Sequence, residues 1–243
     1  MEFSKLKRGP FDLKNKLRTQ QDRLAKMWGR PTNGMRTNYK INNTPVIFIH
    51  NPQTGGTSLG KALGVRRLSH AWPNDRLSEK SWLNTYSICA VRDPYKRFLS
   101  SYYATIDPSH PVIGLTKAYG PEIKTLSPFQ FLDLLSQDPK YGGYQVNWAT
   151  YRSTAKPTAD MILRFEEIRS WADQLKSAGI VDQGFELPHK NQKPNKPKSE
   201  SDLLGIDDEQ IPDLKVAVYN HFKCDYDAFS EVVLLFRTGL RLS

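Results

Sequence analysis

The sequence predicts an α/β fold with a central, mostly parallel sheet flanked by helices, and three observations carry that prediction. Short continuous runs of β-branched and aromatic residues recur at Val46-Ile-Phe-Ile49, Tyr86 to Val91 and Asp160-Met-Ile-Leu-Arg-Phe165, the pattern of strands buried on both faces. Each run is followed by a turn and then by a helical pattern. That alternation makes the strands parallel, because a helix carries the chain back across the sheet before the next strand begins. With 243 residues, 38% of them hydrophobic, the chain is long enough to bury the core of one enzyme-sized domain.

Residues 1–43 read as a basic N-terminal extension, 44–230 as the folded domain and 231–243 as a tail. Residues 1–40 carry 11 Lys or Arg against Glu2, Asp12 and Asp22, so that segment holds +8 of the formal +10. The high isoelectric point therefore describes the extension more than the fold, and specific nucleic-acid binding is not expected. From Phe11 to Trp28, apolar Phe11, Leu13, Leu17, Leu24 and Met27 alternate with cations, which suggests an amphipathic basic helix. Weak contact with an acidic surface is the function it could serve. The Pro-, Asn- and Gly-containing stretch Arg30 to Asn43 follows as a turn-forming linker.

The first strand, opening at Pro45, leads through the loop His50 to Gly56 into a helix from Thr57 to Leu63, with Thr57 or Ser58 as its cap. The second strand, Tyr86 to Val91, leads into a helix from Pro94, which suits a first helical turn, to Tyr103. Helical patterns follow at Pro128 to Gln137 and Tyr144 to Tyr151, then the third strand and a helix from Glu166 to Ala178. Leu187 to Ser199 is a polar loop, and a last helix runs from Asp208 to about Phe222. Arg97 reads as a solvated cation and Tyr102 and Tyr103 as core aromatics. Cys89 lies in an apolar run as a buried inert thiol, and with Cys224 the only other cysteine no disulfide framework is implied. No secretory or membrane-spanning apolar segment is present, so a cytoplasmic protein is expected.

The chemistry concentrates at two strand-to-helix junctions. In Asn51-Pro-Gln-Thr-Gly-Gly-Thr-Ser58, Gly55 and Gly56 let backbone N–H groups approach an oxyanion, while Thr54, Thr57 and Ser58 add hydroxyl donors at a helix N-terminus. At the second junction Arg92 ends a strand and Ser100 lies two helical turns further on. Three-layer architecture of the P-loop-like kind would bring both junctions to one edge of the sheet.

With these segments the chain resembles the sulfotransferase superfamily, in particular its carbohydrate sulfotransferase-like (family 2-like) branch. The branch's phosphosulfate loop reads like Ile-Pro-Lys-Thr-Gly-Gly-Thr-Ser, and its second motif is a strand-end Arg with a Ser eight residues later. Ile162-Leu-Arg-Phe-Glu166 with Trp171, and Leu187-Pro-His-Lys-Asn191, are also similar to late segments of this branch. The resemblance covers Pro45 to Phe229. It implies 3′-phosphoadenosine-5′-phosphosulfate as sulfuryl donor without a metal, held by Gln53, Thr54, Gly55, Gly56, Thr57 and Ser58, with Arg92 and Ser100 on the 3′-phosphate. The acceptor would be a hydroxyl or amine on a glycan or small molecule. It further implies that the base acting on the acceptor comes from the segment between the motifs, where His70 stands; Asp75, Glu79 and His189 are the other candidates. Trp72 or Trp148 could stack on adenine or acceptor.

One departure bears on catalysis. Gln53 occupies the position of the family Lys, which neutralises the leaving oxygen, so electrostatic help there is reduced unless Lys61 or Lys190 substitutes. A nucleotide- or anion-binding module without transfer is the corresponding alternative. Gly55 to Lys61 also fits the triphosphatase pattern G-x-x-x-x-G-K, though Ala62 stands where a magnesium-binding hydroxyl is required.

Overall fold

The computed structural model describes residues 34–66, 68, 70–107, 114–138, 142–151, 158–188 and 199–229. The basic helix expected over Phe11 to Trp28, His189, Lys190 and the tail 231–243 lie outside these residues. In chain order the described elements are β1 (Arg36–Ile41), β2 (Thr44–Ile49), α1 (Gly56–Ala62), α2 (Pro73–Arg76), α3 (Glu79–Leu83), β3 (Tyr86–Val91) and α4 (Pro94–Ile106). Then come α5 (Gly114–Tyr119), α6 (Pro128–Gln137), α7 (Val146–Ala149), β4 (Met161–Arg164), α8 (Trp171–Ser177), α9 (Glu200–Leu204) and α10 (Ile211–His221). Short 3₁₀ segments precede α6, α8 and α10.

The result is a mixed α/β protein with an open four-stranded sheet in the order β1-β2-β3-β4. The expected parallel strands are there: Val46 to Ile49 pairs in register with Tyr86 to Cys89, and Ile88 to Val91 with Met161 to Arg164. β1 is an addition the sequence reading missed, since it lies in the stretch set aside as linker. It runs antiparallel to β2 through a hairpin whose turn residues Asn42 and Asn43 have φ of 47° and 66°, and asparagine tolerates this left-handed region better than most residues. Its outward Arg36, Asn38 and Lys40 alternate with more sheltered Thr37, Tyr39 and Ile41, as an edge strand with one covered face requires.

The chain divides into two compact units. The sheet unit takes its described residues from 34–93, 145–188 and 228–229. On one face of the sheet Val46, Phe48, Ile88, Ala90, Met161 and Leu163 pack with Leu59 and Leu63 of α1 and with Trp171 and Leu175 of α8. On the other face Ile47 packs with Met35 and Leu77, joined by Trp82 and Tyr151, whose rings stack. Asp160 pins the entry to β3 and β4, its carboxylate accepting from the Ser87 amide at 2.8 Å and the Ser87 hydroxyl at 2.6 Å.

The helical unit takes its described residues from 94–138, 142–144 and 199–227. Phe98 and Tyr102 of α4, Phe131 and Leu135 of α6 and Leu214 and Val218 of α10 form its core. The α6 range matches the sequence pattern because both its signals are local: Pro128 opens the first turn, and Ser127 and Gln130 form a reciprocal capping box. Among the described residues no helix is long and apolar enough to cross a membrane.

Candidate functional site

The site is built at the C-terminal ends of β2 and β3, neighbouring parallel strands. β2 stops at Ile49 and the chain loops through His50 to Gly55 before α1 begins at Gly56. The loop is closed on itself by the Thr54 hydroxyl, which donates to the Asn51 carbonyl at 2.8 Å. Gln53 and Gly55 take left-handed backbone conformations, with φ of 64° and 73°. Gly55 has a further reason to lack a side chain, since a Cβ there would lie 2.8 Å from the Phe165 ring.

The helix cap differs from expectation. Gly55, not Thr57 or Ser58, is the cap residue, and as a glycine it has no side chain to cap the first turn of α1. Thr57 and Ser58 belong to that first turn, exposed and half-buried respectively. The backbone N–H groups there have no partner within the helix, as in the first turn of any α-helix. The glycine at Gly60 has a packing cause, because a Cβ would meet the Leu68 side chain at 2.2 Å.

The second junction folds against the first. Arg92 Nη1 donates to the Gln53 carbonyl at 3.3 Å, and the guanidinium lies over the Phe165 ring, 4.3 Å from its centroid. Glu166 accepts from the Asp93 amide at 3.0 Å, and the Trp171 indole fixes the start of this segment by donating to the Arg164 carbonyl at 2.7 Å. Loop, strand-end arginine and the Ile162-Leu-Arg-Phe-Glu166 segment thus converge in one unit. Burial lowers the Arg92 pKa, while Glu166 and Asp93 raise it, and its Nε is a buried donor with no hydrogen-bond partner.

Two histidines complete the arrangement. His50 is buried under Gly56, where a Cβ would come within 2.5 Å of its ring. Burial, then the neighbouring His70, push its pKa down to about 3, so it is neutral at physiological pH. His70 is exposed and lies against it, ring centroids 4.3 Å apart. His70 Nδ1 sits 3.2 Å from the His50 carbonyl oxygen. A carbonyl only accepts, so in the neutral ring Nδ1 carries the proton and Nε2 presents a lone pair.

Other expected groups fall elsewhere. Ser100 is half-buried on α4, in the helical unit. Lys61 occupies the last turn of α1, at the end away from the loop, and Asp75 and Glu79 are exposed in the first turns of α2 and α3. Trp148 is fully buried and meets half-buried Trp72 edge-on at 6.0 Å. Arg97, read as solvated, is instead buried, paired with Asp225 and donating to the Gly143 carbonyl at 2.9 Å. Cys89 is buried as expected, and burial raises its pKa further above the thiol range.

Sequence reasoning missed Gln145 and the ring of Phe165. Gln145 is fully buried, and its amide oxygen accepts from the Arg92 amide at 2.9 Å and from Asn51 Nδ2 at 3.2 Å while its amide nitrogen donates to the Arg92 carbonyl at 2.7 Å. Gln145 offered only its place in the helical pattern expected over Tyr144 to Tyr151. Comparison of the chain with protein-family models, with curated proteins and with solved structures gives no match.

Proposed function

We propose that the protein is a sulfotransferase that uses 3′-phosphoadenosine-5′-phosphosulfate, on a P-loop-like variant of the α/β fold, to sulfate a hydroxyl or amine of a glycan or small molecule. The observation that carries this reading is the convergence of the glycine loop and Arg92 at the C-terminal ends of adjacent parallel strands, the end of the sheet at which open α/β folds bind ligands. The residues fit an anionic nucleotide: an uncapped first helical turn faces the loop, and Arg92 Nε is a buried donor lacking an acceptor. In this reading the loop takes the 5′-phosphosulfate and Arg92 the 3′-phosphate; the role of Ser100 on that phosphate rests on the family resemblance.

The donor supplies a sulfuryl group whose bond to the phosphate oxygen breaks as one to the acceptor oxygen or nitrogen forms. His70 Nε2 takes the acceptor proton. The imidazolium charge that develops is spread toward Nδ1–H, which donates to the His50 carbonyl. First-turn amides of α1 and the Gln53 side chain stabilise the charge on the departing phosphate.

A second reading, nucleotide binding without transfer, is favoured by Gln53, which brings no charge, and by Lys61 lying at the far end of α1. A kinase or ATPase is disfavoured because Gly60 and Lys61 fall inside α1 rather than in the loop before it. Incubation with labelled phosphosulfate donor and a panel of glycans, phenols, alcohols and amines separates these. Transfer that falls at least about 100-fold in His70→Ala, with bisphosphate affinity intact, supports the sulfotransferase. Metal-independent binding of adenosine 3′,5′-bisphosphate without transfer supports the second reading, and magnesium-dependent ATP binding alone overturns both.

A further inference from the structure

Gln145 stands where the two junctions meet. Its buried carboxamide holds both backbone groups of Arg92 and the side chain of Asn51, so one side chain spans the ends of β2 and β3 beyond their last register pairs, Ile49 with Cys89 and Val91 with Arg164. The Arg92 amide must donate and the Arg92 carbonyl must accept, which fixes the orientation of the carboxamide. No ladder hydrogen bond does this work past the strand ends, where the parallel chains diverge into different loops.

We infer that Gln145 is a positioning residue that sets the spacing between the glycine loop and Arg92, and thereby selects nucleotides carrying phosphates at both the 5′ and 3′ positions. The inference rests on the reading of these junctions as the two phosphate sites. A ligand with both phosphates engages both junctions at once, and the second contact is made at high effective concentration only if the spacing is held. A ligand with one phosphate is indifferent to the spacing. Gln145 touches neither phosphate in this scheme; it acts through the backbone of Arg92 and the side chain of Asn51.

The test measures, on the full chain by calorimetry, the affinities of adenosine 3′,5′-bisphosphate, adenosine 5′-monophosphate and adenosine 3′-monophosphate. Gln145→Met keeps length and volume but removes all three hydrogen bonds. It should lower bisphosphate affinity about tenfold while each monophosphate changes less than about twofold. Gln145→Glu supplies a second variant with an internal control. When protonated, a carboxylic acid reproduces the amide, one oxygen accepting and the O–H donating; when ionised, it turns an acceptor toward the Arg92 carbonyl. Its bisphosphate-to-monophosphate preference should therefore approach the parent's at low pH and fall as pH rises, relative to the parent at each pH. Equal losses for all three ligands, or an unchanged preference in folded Gln145→Met, would overturn the inference while leaving the phosphate sites standing. Absence of bisphosphate binding in the parent protein would overturn the functional reading and the inference together.

Discussion

Two arginines five residues apart differ in what surrounds them, and each typifies its unit. Arg97, in the helical unit, is surrounded by the Asp225 carboxylate at 4.0 Å, the Gly143 carbonyl at 2.9 Å and the Phe222 ring 5.1 Å from the guanidinium carbon. Both members of the pair are almost fully buried, at 6% and 0% side-chain exposure. Arg92, in the sheet unit, is half-buried, rests on the Phe165 ring and the Gln53 carbonyl with Glu166 and Asp93 nearby, and has no hydrogen-bond partner at Nε. A buried cation beside a buried counterion serves the fold, whereas a partly buried one with a donor to spare is suited to a ligand.

The largest effect that could break this comparison concerns the helical pair. Asp225→Ala leaves the Arg97 charge buried without its counterion and should cost about 3–5 kcal/mol in denaturant unfolding, whereas replacing both by Arg97→Met and Asp225→Leu should cost less. A loss under about 1 kcal/mol would mean that Arg97 reaches water and that the contrast with Arg92 is weak.

His50 offers a pH-dependent test in the sheet unit. Its folded pKa lies near 3 against an ordinary 6.5, so below pH 6.5 the unfolded chain binds a proton that the folded one refuses. The associated stability is fully present above pH 6.5 and is lost as the pH falls toward 3, about 2 kcal/mol of it by pH 5. Melting measured between pH 7 and 5 should decline less steeply in His50→Leu than in the parent, whatever the variant's absolute stability. Identical slopes would mean that His50 is not held neutral by the fold.

Arg92→Ala should leave unfolding nearly unchanged while weakening adenosine 3′,5′-bisphosphate binding by about 1.5–3 kcal/mol, with adenosine 5′-monophosphate little affected. If Arg92→Ala instead destabilised the protein as Asp225→Ala does, Arg92 would be structural too. The smallest effect is expected for Gln53→Lys. The left-handed backbone there serves Lys no worse than Gln, so stability should stay within about 0.5 kcal/mol, and turnover should rise as a cation reaches the leaving oxygen. Unchanged turnover would indicate that another group already stabilises the leaving oxygen.

Much of the sheet was legible because its signals are local. Tyr86 to Val91 and the helix from Pro128 to Gln137 match their patterns residue for residue, since continuous apolar runs, Pro at a first turn and a capping box act within a few residues. β1 was passed over because an edge strand buries one face only, so its apolar residues are few and its charges face outward. The expected helix Glu166 to Ala178 splits into a 3₁₀ segment and α8 around Glu167. There the contacts of Phe165 with Arg92 and of Glu166 with Asp93 outweigh helical propensity.

By itself the sequence determined the parallel strands, the glycine loop and the residue types at the strand ends, because hydrophobic period and backbone freedom are properties of short segments. Which of those residues meet was decided by tertiary structure. Arg97 and Asp225 are separated by 128 positions, Asn51 and Gln145 by 94, and Asp160 and Ser87 by 73. A buried polar group must find a partner wherever the fold brings one, and no local pattern encodes where that will be.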